Sequence, residues 1–301
     1  MSDSNTSSSS MNYYLFIDEQ NHQYGQPGQI LKKGLNLADN YTVPDKITLK
    51  YGAGGFYIKE AQDILTHLVR TRYLCIVTLP LEIVEDFRMT KLPDGRFRVN
   101  GLEITEIHDM HKVETFELLK KVGANLRSNE DYPLKWALAQ GLIDIGKFLL
   151  NEGAELTSMK ITSKIAAQKG YLDVVKLIRT KQSGYDDNVD IDTALIGGYL
   201  PTVLYLESRG AQIVDVNESL VWACRNGNSD IVTHLLTKEH DINYRSGEPL
   251  KVAAMYGHLE VIKLLINNGV DSKIDTEVAL KQAEINGHTN VIDVLTGIQA
   301  N

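Results

Sequence analysis

The sequence predicts an α-solenoid of short helical hairpins preceded by a small α+β domain. Three observations carry that prediction. Glycines recur at Gly141, Gly170, Gly198, Gly227, Gly257 and Gly287, at spacings of 29, 28, 29, 30 and 30 residues. Each is followed by a segment with apolar residues at i, i+3 and i+4, the pattern of one helix face. A second glycine often closes that segment twelve residues on, at Gly153, Gly210 and Gly269. A repeat of this period is the signature of stacked supersecondary units, none of which buries its apolar face alone.

The elements follow in order. Residues 1–11 are Ser-rich and lack the basic and apolar regions of a secretory signal. They read as a solvated, disordered tail, although Ser7 to Ser10 are chemically open to phosphorylation. Residues 12–105 show no repeat and read as the α+β domain. Tyr13–Ile17 is a strand, and the segment around Gly25-Gln26-Pro27-Gly28 is a turn. Lys59–Thr71 is expected to be an amphipathic helix with Ala61, Ile64, Leu65, Leu68 and Val69 on one side. Tyr73–Leu79 reads as a buried strand, and Arg96–Val99 and Leu102–Ile104 as strands beside the Pro93-Asp94-Gly95 turn.

From residue 106 the hairpins begin. Residues 106–126 read as a degenerate cap, because only Val113 to Ala124 fits half of the pattern. Full repeats are expected at 127–155, 156–184, 185–213, 214–243, 244–272 and 273–301. The mid-repeat glycine supplies a left-handed residue between two helices, and the later one ends the second helix in the same way. Residues 185–213 are irregular, with Pro201 at the start of a second helix, where proline is tolerated.

The run Glu248-Pro249-Leu250-Lys251-Val252-Ala253-Ala254-Met255-Tyr256-Gly257-His258, continuing Leu259-Glu260-Val261-Ile262-Lys263-Leu264-Leu265, closely resembles the ankyrin repeat, T-P-L-H-x-A-A-x-x-G-H-x-x-V-V-x-L-L. Residues 127–155 match through Pro133, Leu134, Ala137, Gly141, Leu149 and Leu150, and 156–184 through Ala166, Ala167, Gly170, Val174 and Val175. The repeats are shorter than the ~33 residues of the common unit, so trimmed turn fingers are expected. A small domain ahead of short ankyrin repeats is similar to the ankyrin families of giant amoeba-infecting viruses. That resemblance implies a protein partner, a host protein among the candidates, and a cytoplasmic place of action, in an infected host cell.

The resemblance also implies where the partner sits: on the concave face of the stack, lined by the turn tips and by the positions that follow the Ala-Ala pair. Those positions here include Gln140, Lys169, Arg225, Asn226, Met255, Tyr256 and Asn286; the turn residues are Asn129, Asp131, Asp187, Asn188, Asn217 and Arg245. Arg225, Met255 and Tyr256 are the strongest among them, since Arg, Met and aromatics are enriched at interfaces. Trp136 and Trp222 share a repeat column with Ile165, Thr193, Val252 and Gln282. The column is mainly apolar, and both indoles are expected in the core. His258 and His288 occupy the Gly-His position, a structural role.

Composition narrows the classes further. The formal charge of −8 argues against a general affinity for nucleic acid or anionic membrane, and no apolar stretch reaches the length of a membrane span. Two cysteines far apart, Cys75 and Cys224, make a disulfide framework unlikely and fit a reducing compartment. A monomer is expected. No cofactor, metal site or catalytic residue is expected: there is no phosphate-binding loop, no dinucleotide fingerprint and no nucleophile elbow. His108 and His111 have chelating spacing but no further ligand at hand.

Two alternatives are weighed. Tyr51-Gly52-Ala53-Gly54-Gly55-Phe56-Tyr57 faintly resembles the G-x-G-x-Y-F segment of ADP-ribosyltransferases, for which His22 and Glu103 or Glu106 would complete a site; a glycine-rich turn feeding a strand is the simpler reading. Leu79-Pro80-Leu81-Glu82-Ile83-Val84 resembles the opening of an F-box, which would imply a ubiquitin-ligase substrate adaptor. That motif needs about three helices, whereas strands are expected next. The reading preferred is a protein-interaction scaffold without catalysis.

Overall fold

The computed structural model describes residues 12–23, 30–38, 55–68, 71–157, 159–181, 186–270 and 274–299. The tail of 1–11, the turn at 25–28 and Tyr51–Gly54 lie outside them. The chain forms two compact units, Met1–Thr157 and Ser158–Asn301.

The first unit holds two antiparallel sheets. Strands β1 (Tyr13–Ile17), β2 (Gly34–Leu37), β3 (Phe56–Ile58), β4 (Tyr73–Thr78), β5 (Met89–Lys91), β6 (Phe97–Val99) and β7 (Gly101–Asp109) pair as β1-β4-β7-β2 and β3-β6-β5. Alternation along β1 sends Tyr13, Leu15 and Ile17 into one core with Phe56, Cys75, Val77, Leu102 and Ile104. Strand β7 runs through Asp109, so residues 106–109 continue the sheet.

The helix expected over Lys59–Thr71 is not formed. Only a single 3-10 stretch, Ala61–Thr66, is present. Lys59 is tied into extended backbone by two 2.9 Å bonds exchanged with Tyr14, so no helix can start before Glu60. At the other end the Asp63 carbonyl is taken by side chains, Lys59 Nζ at 3.2 Å and Thr66 Oγ1 at 2.7 Å. Residues 79–88 also depart from a helical motif. Ile83 and Val84 both donate to the Pro80 carbonyl in one turn, Leu81 and Ile83 are exposed, and β5 follows. The three helices of an F-box are therefore not there. Helices α1 (Val113–Lys121), α2 (Ser128–Ala139) and α3 (Ile143–Asn151) complete this unit.

The second unit is built of five hairpins: α4 (Lys160–Gln168) with α5 (Leu172–Lys181), α6 (Asn188–Gly197) with α7 (Leu200–Ser208), α8 (Val216–Asn226) with α9 (Ser229–Leu235), α10 (Tyr244–Met255) with α11 (Leu259–Asn267), and α12 (Ile274–Asn286) with α13 (Thr289–Gln299). The small column Ala166-Ala167, Ala223-Cys224 and Ala253-Ala254 is fully buried, which lets first helices approach closely. Second helices bury Val174, Val175 and Ile178, then Val203 and Leu206, then Ile231, Val232 and Leu235, then Val261, Ile262 and Leu265. Pro201 falls in the first turn of α7 and disturbs nothing. Glu284 is exposed at the last hairpin, as a solvent-facing cap requires.

Glycines between paired helices have the expected left-handed backbone, from φ 71° at Gly170 to 81° at Gly198. They do a second thing as well. A Cβ on Gly170 would lie 2.2 Å from the Tyr199 ring, on Gly198 2.7 Å from the Asn228 amide, on Gly227 2.5 Å from the His258 ring and on Gly257 2.6 Å from the His288 ring. Each glycine is thus a seat for the next hairpin. The rings are not free to swing away, because His258 Nε2 donates to the Arg225 carbonyl and His288 Nε2 to that of Met255, both at 2.9 Å.

The trimmed fingers take a specific form in two repeats. Asn129, Glu130 and Asp131 have φ of 50°, 56° and 60°, and Arg245, Ser246 and Gly247 have 48°, 57° and 78°. Both left-handed turns lead, one residue later, into a proline, Pro133 or Pro249. The irregular repeat is different again. Arg179, fully buried, binds Asp187 and Asp190 and donates to Ser163 Oγ at 2.7 Å, while Arg209 reaches Asp187 at 2.8 Å. Charged groups are thus buried among α4, α5 and α6.

The seat makes a differential prediction. Gly227→Ala incurs left-handed strain and a clash with His258, together about 2–4 kcal/mol. Gly287, with φ 74° and nothing within 4 Å of a built Cβ, incurs only the strain, about 1 kcal/mol. Urea unfolding of the two variants is expected to separate them; equal losses would refute the seat.

Candidate protein-interaction surface

Helices α8 and α10 place three interface-type side chains side by side. Trp222 and Arg225 are one helical turn apart on α8, and Tyr256 caps α10. The Arg225 guanidinium lies 5.2 Å from the Trp222 ring centroid and 5.4 Å from that of Tyr256. Tyr256 in turn stacks on His258, with centroids 6.3 Å apart and planes at 17°. The His258 bond to the Arg225 carbonyl closes this loop of contacts. A carbonyl only accepts, so the imidazole must carry its proton on Nε2.

All three members reach solvent. Trp222 is 38% and Tyr256 44% exposed, and Arg225 is exposed as well. Each exposed cation–π contact contributes about 0.5–1 kcal/mol, enough to hold rotamers without burying the groups. The ridge is therefore pre-organised, which lowers the ordering cost of binding. Ile196 and Ile285, 29 residues before Arg225 and 30 after Met255, extend it with apolar side chains that are 41% and 68% exposed.

The tryptophans do not behave alike. Trp136 is buried, as expected, 6.3 Å from the Phe116 ring and 6.4 Å from His111. Trp222 is not a core residue. Its column is only half-buried at Ile165, Thr193 and Gln282, and thus marks the rim of the interhairpin core. Val252 is buried in that column, whereas the Trp222 indole reaches solvent with the Arg225 guanidinium over it.

The remaining expected surface residues divide by what holds them. Asp131, Asn188 and Asn217 each accept a backbone N–H from a residue 24 positions later, Glu155 (3.0 Å), Gln212 (2.7 Å) and Asp241 (2.7 Å). These staples fasten the start of a first helix to the end of its own second helix. Asp131 is buried, and Asp187 is buried in the Arg179 network, so neither can face a partner. Asn129 is exposed and donates to the Thr66 carbonyl, Asn226 to that of Ile196, and Asn286 to that of Gln282. Arg245 pairs with Glu218 at 2.8 Å and covers the Tyr244 ring. Gln140 and Lys169 are exposed, the latter 5.8 Å from the Tyr171 ring centroid, and Met255 is half-buried. Trp222 is the member that the column argument missed.

Residues considered for chemistry are dispersed. His22 lies 3.7 Å from Asp18, Glu103 stands opposite Leu35 in the sheet, and Glu106 contacts His108 at 2.8 Å. His111 is engaged by Arg72; burial and then the Arg72 charge lower its pKa. Among the described residues no group of three or more His, Cys, Asp or Glu is arranged to hold a metal ion, and no helix is long and apolar enough to cross a membrane. Both cysteines are free and buried, and burial pushes the Cys75 thiol up to about 12.

Comparison with known proteins agrees with this architecture. Residues 220–301 match the family model for ankyrin repeats in three copies. One ankyrin repeat protein of Acanthamoeba polyphaga mimivirus is 39% identical over 70% of this chain and 56% of its own length. A second from the same virus is 29% identical over 46% of this chain and 39% of its own. The chain thus spans only about two-fifths to just over half of these relatives. The crystal structure of the human ASB11 ankyrin repeat domain aligns with 56% of this chain at 24% identity and a TM-score of 0.47. The chain carries ankyrin repeats, and such repeats imply a role in protein–protein interaction.

The two tryptophans offer a direct check on the site. Iodide should quench one of two emitting populations, and Trp222→Phe should remove the accessible one. Unchanged quenching in that variant would place Trp222 in the core after all.

Proposed function

We propose that this ankyrin-repeat chain is a scaffold that binds a protein partner on the ridge formed by Trp222, Arg225 and Tyr256. The observation that carries the reading is the guanidinium held between two exposed aromatic rings. Trp, Tyr and Arg are the residue types that dominate interface energetics, and rigid neighbours are what make them effective. A solvated surface has no need to place the three together. The flanking Ile196, Met255 and Ile285 supply an apolar surround, and Asn226 and Asn286 a polar edge.

In this reading the repeat array runs from α1 at Val113 to 301 and does the binding, while the sheets of 12–109 form a distinct module. The viral source of the relatives makes a host protein the expected partner, met by a monomer of this chain in the cytoplasm. Ridge residues replace the buried turn residues Asp131 and Asp187 as the binding set.

Affinity capture from amoebal lysate tests the proposal. Full-length chain should retain a saturable partner, and Trp222→Ala/Arg225→Ala/Tyr256→Ala should reduce its retention more than tenfold, at about 1–2 kcal/mol per side chain. Circular dichroism of the variant should stay unchanged. Equal retention by the variant would remove the ridge from the interface.

A further inference from the structure

The α+β region contains a cleft that the partner-binding reading does not use. It encloses about 640 Å³ of space open to solvent, and its walls include Tyr14, Phe16, Tyr57, Lys59, His67 and Arg96. Among the described residues no Asp or Glu lines it. In a chain with a formal charge of −8, a cavity walled by Lys, His and Arg alone among the ionisable acids and bases other than tyrosine is a local reversal of sign.

Lys59 is the unusual member. It is only 7% exposed, and its backbone is locked to Tyr14. The ammonium donates to the Asp63 carbonyl and to His67 Nδ1, both at 3.2 Å, and to Thr66 Oγ1. These acceptors are neutral atoms, and among the described residues no carboxylate forms an ion pair with Lys59. Hydrogen bonds satisfy its protons without neutralising its charge, and a buried charge is costly unless paired. Because Nδ1 accepts, the neutral His67 ring carries its proton on Nε2 and is a donor. Arg96 is held in place by Asp94 at 2.7 Å and lies 4.9 Å over the Tyr57 ring. Burial and then the Arg96 charge lower the Lys59 pKa; burial and then Lys59 lower that of His67. The cations oppose one another while the nearby Asp94 and Asp63 charges act the other way, and an anion in the cleft adds to that compensation.

We propose that this cleft binds a small molecule carrying a phosphate group on a flat aromatic body, the phosphate meeting Lys59, His67 and Arg96 and the body lying against Tyr14 and Tyr57. A phosphate monoester brings nearly two charges at neutral pH and three acceptor oxygens, against one charge and two oxygens for a carboxylate. It therefore matches the Lys59 charge and the His67 and Arg96 donors better. The tyrosine rings and Phe16 give the cleft an apolar side that inorganic phosphate would leave uncovered. Neither the ridge nor its partner enters this inference.

Calorimetry on the full-length chain with phenyl phosphate, inorganic phosphate and benzoate tests it. Phenyl phosphate should bind one-to-one, at least tenfold more tightly than either of the others. Lys59→Met and Arg96→Gln should each weaken it at least tenfold. No saturable binding to the folded chain, benzoate binding as well as phenyl phosphate, or unchanged affinity in Arg96→Gln would each overturn the proposal. Should Lys59→Met fail to fold, the His67 ring proton signal of the unsubstituted chain, assigned with His67→Gln, decides with Arg96→Gln: it should shift saturably with phenyl phosphate, and a static signal contradicts the site.

Discussion

In the second unit, each hairpin after α4–α5 rests where a glycine of the hairpin before it has no Cβ. Gly227 must be left-handed to end α8, and it must be bare to admit the His258 ring. The two demands fall on one residue, and glycine alone meets both. Once seated, the imidazole donates to the Arg225 carbonyl, so the end of one first helix is bonded to the start of the next second helix. Arg225 and Tyr256 are then brought within cation–π distance by the same contact that stacks the hairpins. The ridge is a consequence of how the stack is joined, and its order depends on the seat.

Much of this was legible because it is local. A glycine after an apolar segment, a proline in a first turn and an Ala-Ala pair each act within a few residues, and all of them lie where the periodicity put them. What was not legible depends on distant partners. Asp131, Asn188 and Asn217 look like loop residues, but their acceptors are used by backbone 24 residues away. Lys59–Thr71 has a helical apolar pattern, yet a strand-like bridge to Tyr14 forbids the first turn. Trp222 shares a column with apolar residues, but a column describes an average depth. Trp136 and Trp222 share it, yet the neighbours of each leave one buried and the other exposed. Arg179, Asp187 and Asp190 were unreadable for a related reason, since charge normally signals surface and here three charges bury together.

The two regions also recognise by different means. In the α+β region the proposed site is concave, cationic and lined by a buried lysine that forms no ion pair with a described carboxylate. On α8 and α10 it is exposed side chains on helices, with the cation already shared by two rings. The first arrangement suits a small anion that replaces solvent inside a cleft; the second suits a broad surface that covers aromatic edges. The buried network at Arg179 stands between hairpins and not at either feature. It ties α6 to α5, and such buried pairs are better at specifying an arrangement than at stabilising it.

The central claim is that the seated stack presents Trp222, Arg225 and Tyr256 as the face that meets a protein partner. Site-specific photo-crosslinking tests it most directly, with the reactive group placed at Tyr256 on the ridge or at Lys263, exposed on second helix α11. A crosslink to the partner from position 256 and none from position 263 is the predicted result. Trapping from 263 alone would contradict the account.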